Sequence, residues 1–241
     1  MKFRFDSKTR QSLLWWLPVL ALALYLKHSF SIADTLDLQW MLQPLADLLS
    51  VVSGHRFEQL ANGEWYSNSA DVLLVKGCTG INFMLMSLLA YAWIFRPDQS
   101  EKPQTWVWYA SHALLLTAVC VAAWATALFA NTLRILLAMV LQANDSVAAM
   151  TGLGSDDLHR FIGLAVYLPV LTLQMLPARA RAGKSWLWIP PGLYGLVMLV
   201  SPLVTGHALT NPEPYIHHVS LLLVGMIVIQ GGLFFMLNKW R

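Results

Sequence analysis

The sequence predicts an all-α polytopic membrane protein, and three observations carry that prediction. Hydrophobic residues make up 57% of the 241-residue chain and charged residues only 12%, a balance too apolar for an ordinary soluble domain. Several apolar runs approach the roughly 20 residues that a helix needs to cross a bilayer. Polar and charged residues concentrate between these runs. Neither a fixed-period repeat nor a low-complexity linker interrupts the chain, so one integral membrane domain is expected over residues 1–241.

About six membrane spans are expected. The first, Ser12 to Tyr25 with its flanks, follows a basic N-terminus, and Ser31 and Ala33 have the small-x-small spacing of a signal-peptide cleavage site. An uncleaved anchor is the favoured interpretation, because more spans follow. These are residues 77–95, 106–129, 161–176, 186–205 and 219–237. Tryptophans near their ends fit an aromatic belt. Residues 77–176 would form the catalytic core and 186–237 a C-terminal helical hairpin.

Residues 34–76 form the predicted outer loop. Apolar residues recur at roughly helical spacing from Leu36 to Val52, with acidic and amide residues between them. This pattern indicates an amphipathic helix at the membrane interface. Pro44 is expected to kink that helix. Alternation from Trp65 to Val75 favours a short β-hairpin.

An apolar piece from Asn131 to Leu141 follows the third span and is interrupted by Arg134. A single helix from Trp106 to Leu141 would be about 54 Å long, whereas the core of a bilayer is roughly 30 Å thick. The piece is therefore expected to leave the third span as a short re-entrant or projecting helix that carries Arg134.

The distribution of charge predicts the orientation. Suppose that the piece around Arg134 does not cross the membrane. The segments on the inner side of the membrane then hold eleven of the sixteen Lys and Arg residues but only three of the thirteen acidic residues. Those basic residues are Lys2, Arg4, Lys8, Arg10, Arg96, Lys102, Arg179, Arg181, Lys184, Lys239 and Arg241. By the positive-inside rule, both termini are then cytoplasmic. Cys78, Arg134 and His159 all fall near the outer face of the membrane.

Three chemically distinct residues thus share one face. A thiol at a helix N-terminus, such as Cys78, has a larger thiolate fraction because of the helix dipole, and Lys76 would act in the same direction. A neutral His159 can take the thiol proton and return it to a leaving amine. Arg134 can stabilise an oxyanion or bind a carboxylate. Each residue also has an ordinary interpretation: a buried small thiol, a satisfied interfacial histidine and a snorkelling arginine.

Supporting positions surround the three. Gly77 and Gly80 permit a tight turn and close approach of a substrate chain. Asn131 lies one helical turn before Arg134 and can orient it or add a donor. The two cysteines, Cys78 and Cys120, are too few for a disulfide framework and are expected to be free thiols.

At these residues the sequence resembles the exosortase/archaeosortase family. The resemblance covers about residues 73–176 and lies in three ordered motifs: Cys78-Thr79-Gly80-Ile81, Asn131-x-x-Arg134-Ile135 and His159-x-x-x-Gly163. It implies a membrane cysteine endopeptidase or transpeptidase with Cys78 as nucleophile, His159 as acid/base and Arg134 as transition-state stabiliser. Asn131, Gly80 and Thr79 would support them. Thr79 stands where the family usually has Ser, and the chain has fewer spans than many members.

The resemblance also implies a substrate and a setting. The partner would be an exported, membrane-anchored protein with a PEP-CTERM-type sorting signal, made of a short motif, a transmembrane helix and a basic tail. Bacterial members commonly occur with exopolysaccharide synthesis. The bilayer is the other expected partner; no cofactor is expected, and no basic tract with interleaved aromatics suggests nucleic-acid binding.

Other functions remain possible from the residues alone. A small membrane transporter would place ionisable residues in mid-span, whereas here they cluster at span ends. A non-catalytic subunit of envelope polysaccharide machinery would tolerate loss of Cys78, Arg134 or His159. A metal site in the last outer loop can be imagined from four side chains, although no metal is the favoured expectation. They are His207, Glu213, His217 and His218. Asp156 and Asp157 can orient His159 or cap its helix.

Overall fold

The computed structural model describes residues 7–96, 106–142, 155–200 and 212–239. Helices dominate them: α1 Ser7–Ile32, α2 Gln39–Ser53, α3 Ile81–Ile94, α4 Trp106–Gln142, α5 Ser155–Gln174, α6 Arg179–Ala182, α7 Ile189–Gly195 and α8 Pro212–Lys239. Short 3-10 helices cover Leu36–Leu38, Lys76–Thr79, Leu176–Ala178 and Gly183–Trp188, and a π-helix, Leu196–Val200, continues α7. Among these residues, four segments are long and apolar enough to cross a membrane: Ser12–Ile32, Lys76–Ile94, Tyr109–Leu141 and Tyr215–Met236.

Helix α3 is the centre of the bundle. Its side chains are apolar on all sides, as in a helix enclosed by other helices, and it packs against α1, α4, α5 and α7. Phe83, Met86 and Leu88 are fully buried. Because α3 begins directly after Gly80, its burial holds the Cys78 segment at one end of the bundle. We call this the Cys78 end.

Helix α1 runs antiparallel to α3 and is bonded to it at two levels, and a third bond joins its end to the turn that precedes α3. The indole Nε1 of Trp15 donates to the carbonyl of Ala92 at 3.0 Å. The ammonium of Lys27 donates to Asn82 Oδ1 at 2.8 Å. Beyond the end of α1, Lys76 Nζ lies 2.6 Å from the carbonyl oxygen of Ala33. The first span is therefore joined to the bundle along its whole length.

Helix α4 continues without a break for 37 residues from Trp106 to Gln142, which corresponds to about 56 Å. The prediction of a short re-entrant helix for Arg134 is therefore wrong, whereas the alternative, a piece that projects, is compatible with one continuous helix. The sequence has neither Gly nor Pro between these bounds, so nothing interrupts the backbone hydrogen bonds. Since the helix is much longer than a bilayer core of roughly 30 Å, one of its ends must project, and Arg134 belongs to the last turns.

The segment before Cys78 combines a helix with a small sheet. Helix α2 contains Pro44 without a break, packs against α4 and the 3-10 turn Lys76–Thr79, and leaves its other face exposed. Its buried residues are Met41, Leu42, Leu45, Ala46 and Leu49. Strands β1 Glu58–Gln59, β2 Trp65–Ser67 and β3 Val72–Leu74 form an antiparallel sheet in that order. The short hairpin expected from Trp65 to Val75 is the pair β2–β3. Strand β1 was not predicted, and the predicted all-α class does not include this sheet.

The C-terminal half completes the bundle. Helix α8 packs along α5, where Gly225 lets Leu164 approach the α8 backbone closely. Gln230 of α8 donates to the carbonyl of Leu187 at 2.5 Å. The expected fourth span corresponds to α5, and the fifth to the shorter apolar segment Trp186–Leu199. Several residues used to predict orientation lie outside the described residues: Lys2, Arg4, Asp6, Asp98, Glu101, Lys102 and Arg241.

Candidate functional site

Cys78 lies in a tight turn in front of α3. Its backbone N–H donates to the carbonyl of Val75 at 2.7 Å, and the hydroxyl of Thr79 donates to the carbonyl of Lys76 at 3.0 Å. Gly80 follows with φ +71°, in the left-handed region that glycine adopts without strain. The thiol is half-buried and free. Cys78 therefore precedes the first turn of the helix rather than forming it, which corrects its expected position at the helix N-terminus.

Asn131 connects α4 to this turn. Its side chain is fully buried, and its amide Nδ2 donates a hydrogen bond to the backbone carbonyl of Cys78. A Cβ atom at Gly80 would lie 3.1 Å from Asn131 Cγ, so the glycine is needed for close approach as well as for its φ. Asn131 was predicted to orient Arg134 or to add a donor. In the structure it holds the Cys78 turn.

Tyr167 of α5 completes the connection and was missed by the sequence analysis. Its hydroxyl donates to Asn131 Oδ1 at 2.7 Å, and its ring stacks on Phe83 with centroids 4.5 Å apart. A tyrosine in an apolar helix is usually interpreted as core packing. The only sequence signal is its spacing, because Tyr167 lies four residues after Gly163 and eight after His159, on one face of α5.

Arg134 is 9% exposed, and its Nε and Nη2 atoms have no hydrogen-bond partner among the described residues. Its guanidinium carbon lies 5.8 Å from the centre of the Tyr167 ring. Gly163 lies beside its methylenes, since a Cβ there would be in ordinary van der Waals contact with Arg134 Cδ, at 3.7 Å. Nε and Nη2 form one edge of the guanidinium, the geometry that binds two oxygens of one carboxylate or an oxyanion. Buried donors without partners are costly, so this edge is prepared for an anionic group.

His159 is half-buried. It lies nearer the N-terminus of α5 than Tyr167, the residue of this helix that links Cys78 to Arg134. It precedes Gly163 by one helical turn and Tyr167 by two, about 12 Å along the axis. Beside it, Leu158 and Ile162 form a small apolar cluster with Ala138 of α4, one turn beyond Arg134. The connection from Cys78 to Arg134 runs through Gly80, Asn131 and Tyr167. The contacts therefore link five of the six predicted site residues, and His159 lies on the same helix as Tyr167, one turn before Gly163.

Lys76 has a different role from the predicted one. Its ammonium donates to the carbonyls of Ser31 at 3.3 Å and Ala33 at 2.6 Å, and it lies 5.1 Å from the centre of the Phe30 ring. These contacts satisfy carbonyls at the C-terminal end of α1, which prefers cations. Lys76 is thus a structural link to α1 and is not directed at the thiol.

Three polar residues near the N-terminal ends of α5 and α8 are paired with one another. Asp157 accepts from Arg160 at 3.4 Å and lies 3.0 Å from His217 Nε2. Within the described part of the chain, no group of three or more metal-ligating residues occurs. His207 lies outside that part, and the side chain of His218 is not described. In the first loop, Arg56 pairs with Glu58 at 3.3 Å on the surface.

A scan against protein-family models, a search of curated proteins and a search of solved structures each returned no match to this chain. The chemistry of the site must therefore be inferred from its own residues.

Proposed function

We propose that this chain is a membrane-embedded cysteine endopeptidase or transpeptidase of the exosortase type, which cleaves C-terminal sorting signals of exported proteins. One observation carries the proposal: the unpartnered edge of Arg134 is buried against Tyr167, whose hydroxyl bonds the residue that holds the Cys78 turn, Asn131. A buried cation and a half-buried thiol joined through two residues suit acyl transfer, because that reaction forms an oxyanion next to a nucleophile.

The chemistry follows from the two groups. The Cys78 sulfur attacks the carbonyl carbon of the scissile peptide bond, and the developing oxyanion is stabilised by the Nε and Nη2 donors of Arg134. His159 accepts the thiol proton and donates it to the nitrogen of the leaving segment as the C–N bond breaks. A thioester between Cys78 and the substrate remains. Water or an amine of an acceptor then attacks it and releases the thiol.

We expect the histidine to reach the reacting groups when substrate is bound. His159 lies about two helical turns before Tyr167 on α5. Catalytic hydrogen bonds are often long in a free enzyme and tighten when substrate is bound. We expect the substrate chain to lie between the Cys78 turn and the N-terminal turns of α5, where the leaving nitrogen can reach the imidazole.

The membrane setting supports the same function. We propose about six spans in the inner membrane, both termini in the cytoplasm, and the Cys78 end at the periplasmic boundary. The distribution of Lys and Arg supports this orientation. A substrate with its own transmembrane helix and basic tail would then be anchored in the same bilayer, with its short motif at the level of Cys78. Its effective concentration at the site would be high without tight recognition of the motif.

The test compares Cys78→Ala with Cys120→Ala. Cys120 is the second of the two cysteines, lies inside α4, and is not assigned to the site. Each variant replaces the wild-type chain in its native cell, and the C-termini of exported proteins with a terminal apolar span and basic tail are compared by mass spectrometry. Cys78→Ala should leave these signals uncut, whereas Cys120→Ala should process them like wild type. Continued processing with Cys78→Ala at normal membrane levels would refute the proposal.

A further inference from the structure

Tyr167 is the point where three separate parts of the chain meet. It is 7% exposed; its hydroxyl bonds Asn131 of α4 and its ring stacks on Phe83 of α3, and Asn131 in turn bonds the Cys78 turn. The carbonyl of Cys78 can only accept, so Asn131 must present its Nδ2 to it. Asn131 Oδ1 then faces Tyr167, and the tyrosine hydroxyl must donate at 2.7 Å. Both ends of the amide are thereby determined.

The ring of Tyr167 has a second function. It is held from one side by Phe83, stacked at 4.5 Å with an interplanar angle of 18°. The Arg134 guanidinium lies 5.8 Å from the ring centre, within the range of a cation–π contact. Because two donors of Arg134 have no partner among the described residues, this contact is a main constraint on where the guanidinium lies.

We propose that Tyr167 is a positioning residue for both reactive groups, through its hydroxyl for Cys78 and through its ring for Arg134. The proposal rests on the proposed function for the meaning of the two groups, but the part that concerns the Cys78 turn can be tested without it. Without the tyrosine hydroxyl, Asn131 loses one of its two anchors, and its hold on the Cys78 carbonyl weakens. The turn should then open more often.

The opening of the turn can be measured without any substrate. In a Cys120→Ala background, Cys78 is the sole thiol, and its rate of alkylation by a membrane-impermeant maleimide reports access to it. Tyr167→Phe keeps the ring and removes the hydroxyl. We expect it to accelerate alkylation roughly fivefold, the factor equivalent to about 1 kcal/mol for one lost hydrogen bond.

Tyr91→Phe is the matched control. The Tyr91 hydroxyl bonds Thr126 at 2.9 Å and also joins two helices, α3 and α4, but it is about 15 Å along α3 from the Cys78 end. Its loss should leave the alkylation rate of Cys78 unchanged. If both tyrosine variants change that rate equally, Tyr167 is only a structural residue and the proposal is overturned.

A double-mutant cycle tests the route through Asn131. Asn131→Ala should also accelerate alkylation, and adding Tyr167→Phe to it should bring no further increase, because both changes release the same bond. If the two substitutions accelerate alkylation independently, so that their factors multiply, Tyr167 does not act on the Cys78 turn through Asn131. Alkylation at the wild-type rate in Tyr167→Phe would contradict the proposal itself.

The ring needs a second variant and a second readout. Tyr167→Leu removes the ring as well, so processing of exported substrates should fall further than in Tyr167→Phe, relative to the amount of folded enzyme. Equal processing by the two variants would show that the ring does not position Arg134. These results stay separable from the proposed function: continued processing by Cys78→Ala refutes that function, whereas the alkylation rates test the turn.

Discussion

Lys76 Nζ lies 2.6 Å from the carbonyl oxygen of Ala33, so the residue two positions before the candidate nucleophile is bonded to the end of the first helix. The same ammonium is 3.3 Å from the carbonyl of Ser31. The N-terminal helix is thus connected to the turn that carries Cys78, and the stability of the turn depends on it.

Lys76→Met should destabilise the protein. The change removes a charged donor from two carbonyls, which should cost about 1 kcal/mol for a half-buried group. Thermal unfolding of the detergent-purified protein measures it. The control is Arg56→Ala, which breaks a pair whose side chains are 85% and 68% exposed and should have almost no effect. Equal stability of Lys76→Met and Arg56→Ala would show that the bonds from Lys76 to the end of α1 do not stabilise the protein. Lys76→Arg should retain most of the wild-type stability.

Helix α1 should remain in the mature protein. Its bonds to Ala92, Asn82 and Lys76 follow it from one end to the other, and the carbonyls of Ser31 and Ala33 are the acceptors of Lys76. A small tag placed before Met1 should therefore stay attached to the membrane-inserted chain on an immunoblot. A mature chain that begins at Asp34 would show instead that the small-x-small pair is a cleavage site.

Gly80→Ala should affect the Cys78 turn more than it affects the stability of the protein. Gly54 and Gly80 have nearly the same φ, +73° and +71°, but a Cβ at Gly54 meets nothing within 4 Å, whereas one at Gly80 meets Asn131 Cγ at 3.1 Å. Both substitutions should lose about 1 kcal/mol of stability through backbone strain. In addition, Gly80→Ala should accelerate alkylation of Cys78 and reduce processing. If Gly54→Ala does the same, the contact with Asn131 is unimportant.

Arg134→Met should abolish processing while it stabilises the fold. Methionine keeps an unbranched side chain against Gly163 and removes buried donors that have no partner among the described residues. We expect a gain of about 1 kcal/mol, since the cost of desolvating those donors exceeds the value of the contact with Tyr167. Thermal unfolding and the processing assay measure the two effects. A marked loss of stability would mean that Arg134 is a structural residue.

Arg134→Lys separates charge from geometry. Lysine keeps the charge but has no edge with two parallel donors. Its processing rate should fall roughly a hundredfold or more, the loss that follows removal of one donor from an oxyanion site. Activity near that of wild type would indicate that a point charge is sufficient. Two parallel donors from Arg134 would then not be required.

Much of the helical architecture could be predicted from the sequence. The apolar runs around Val19, Leu88 and Leu222 are spans by length and composition, and the structure has helices at each place. The re-entrant break expected before Arg134 is wrong, because the local helical preference of this stretch outweighs the limit that bilayer thickness sets. A stretch without Gly or Pro stays helical, since its backbone bonds are satisfied internally whether or not lipid surrounds it.

The sequence by itself determined the helices and the residue types of the site, because hydrophobic length and backbone propensity are local properties. Only the tertiary structure decided three contacts. Asn131 bonds the carbonyl of Cys78, Tyr167 bonds Asn131, and Lys76 bonds the carbonyl of Ala33. Each of these is a single hydrogen bond between segments far apart in the chain, and one bond leaves no periodic pattern in a sequence. Only the packing of α3, α4 and α5 brings those atoms within reach of one another.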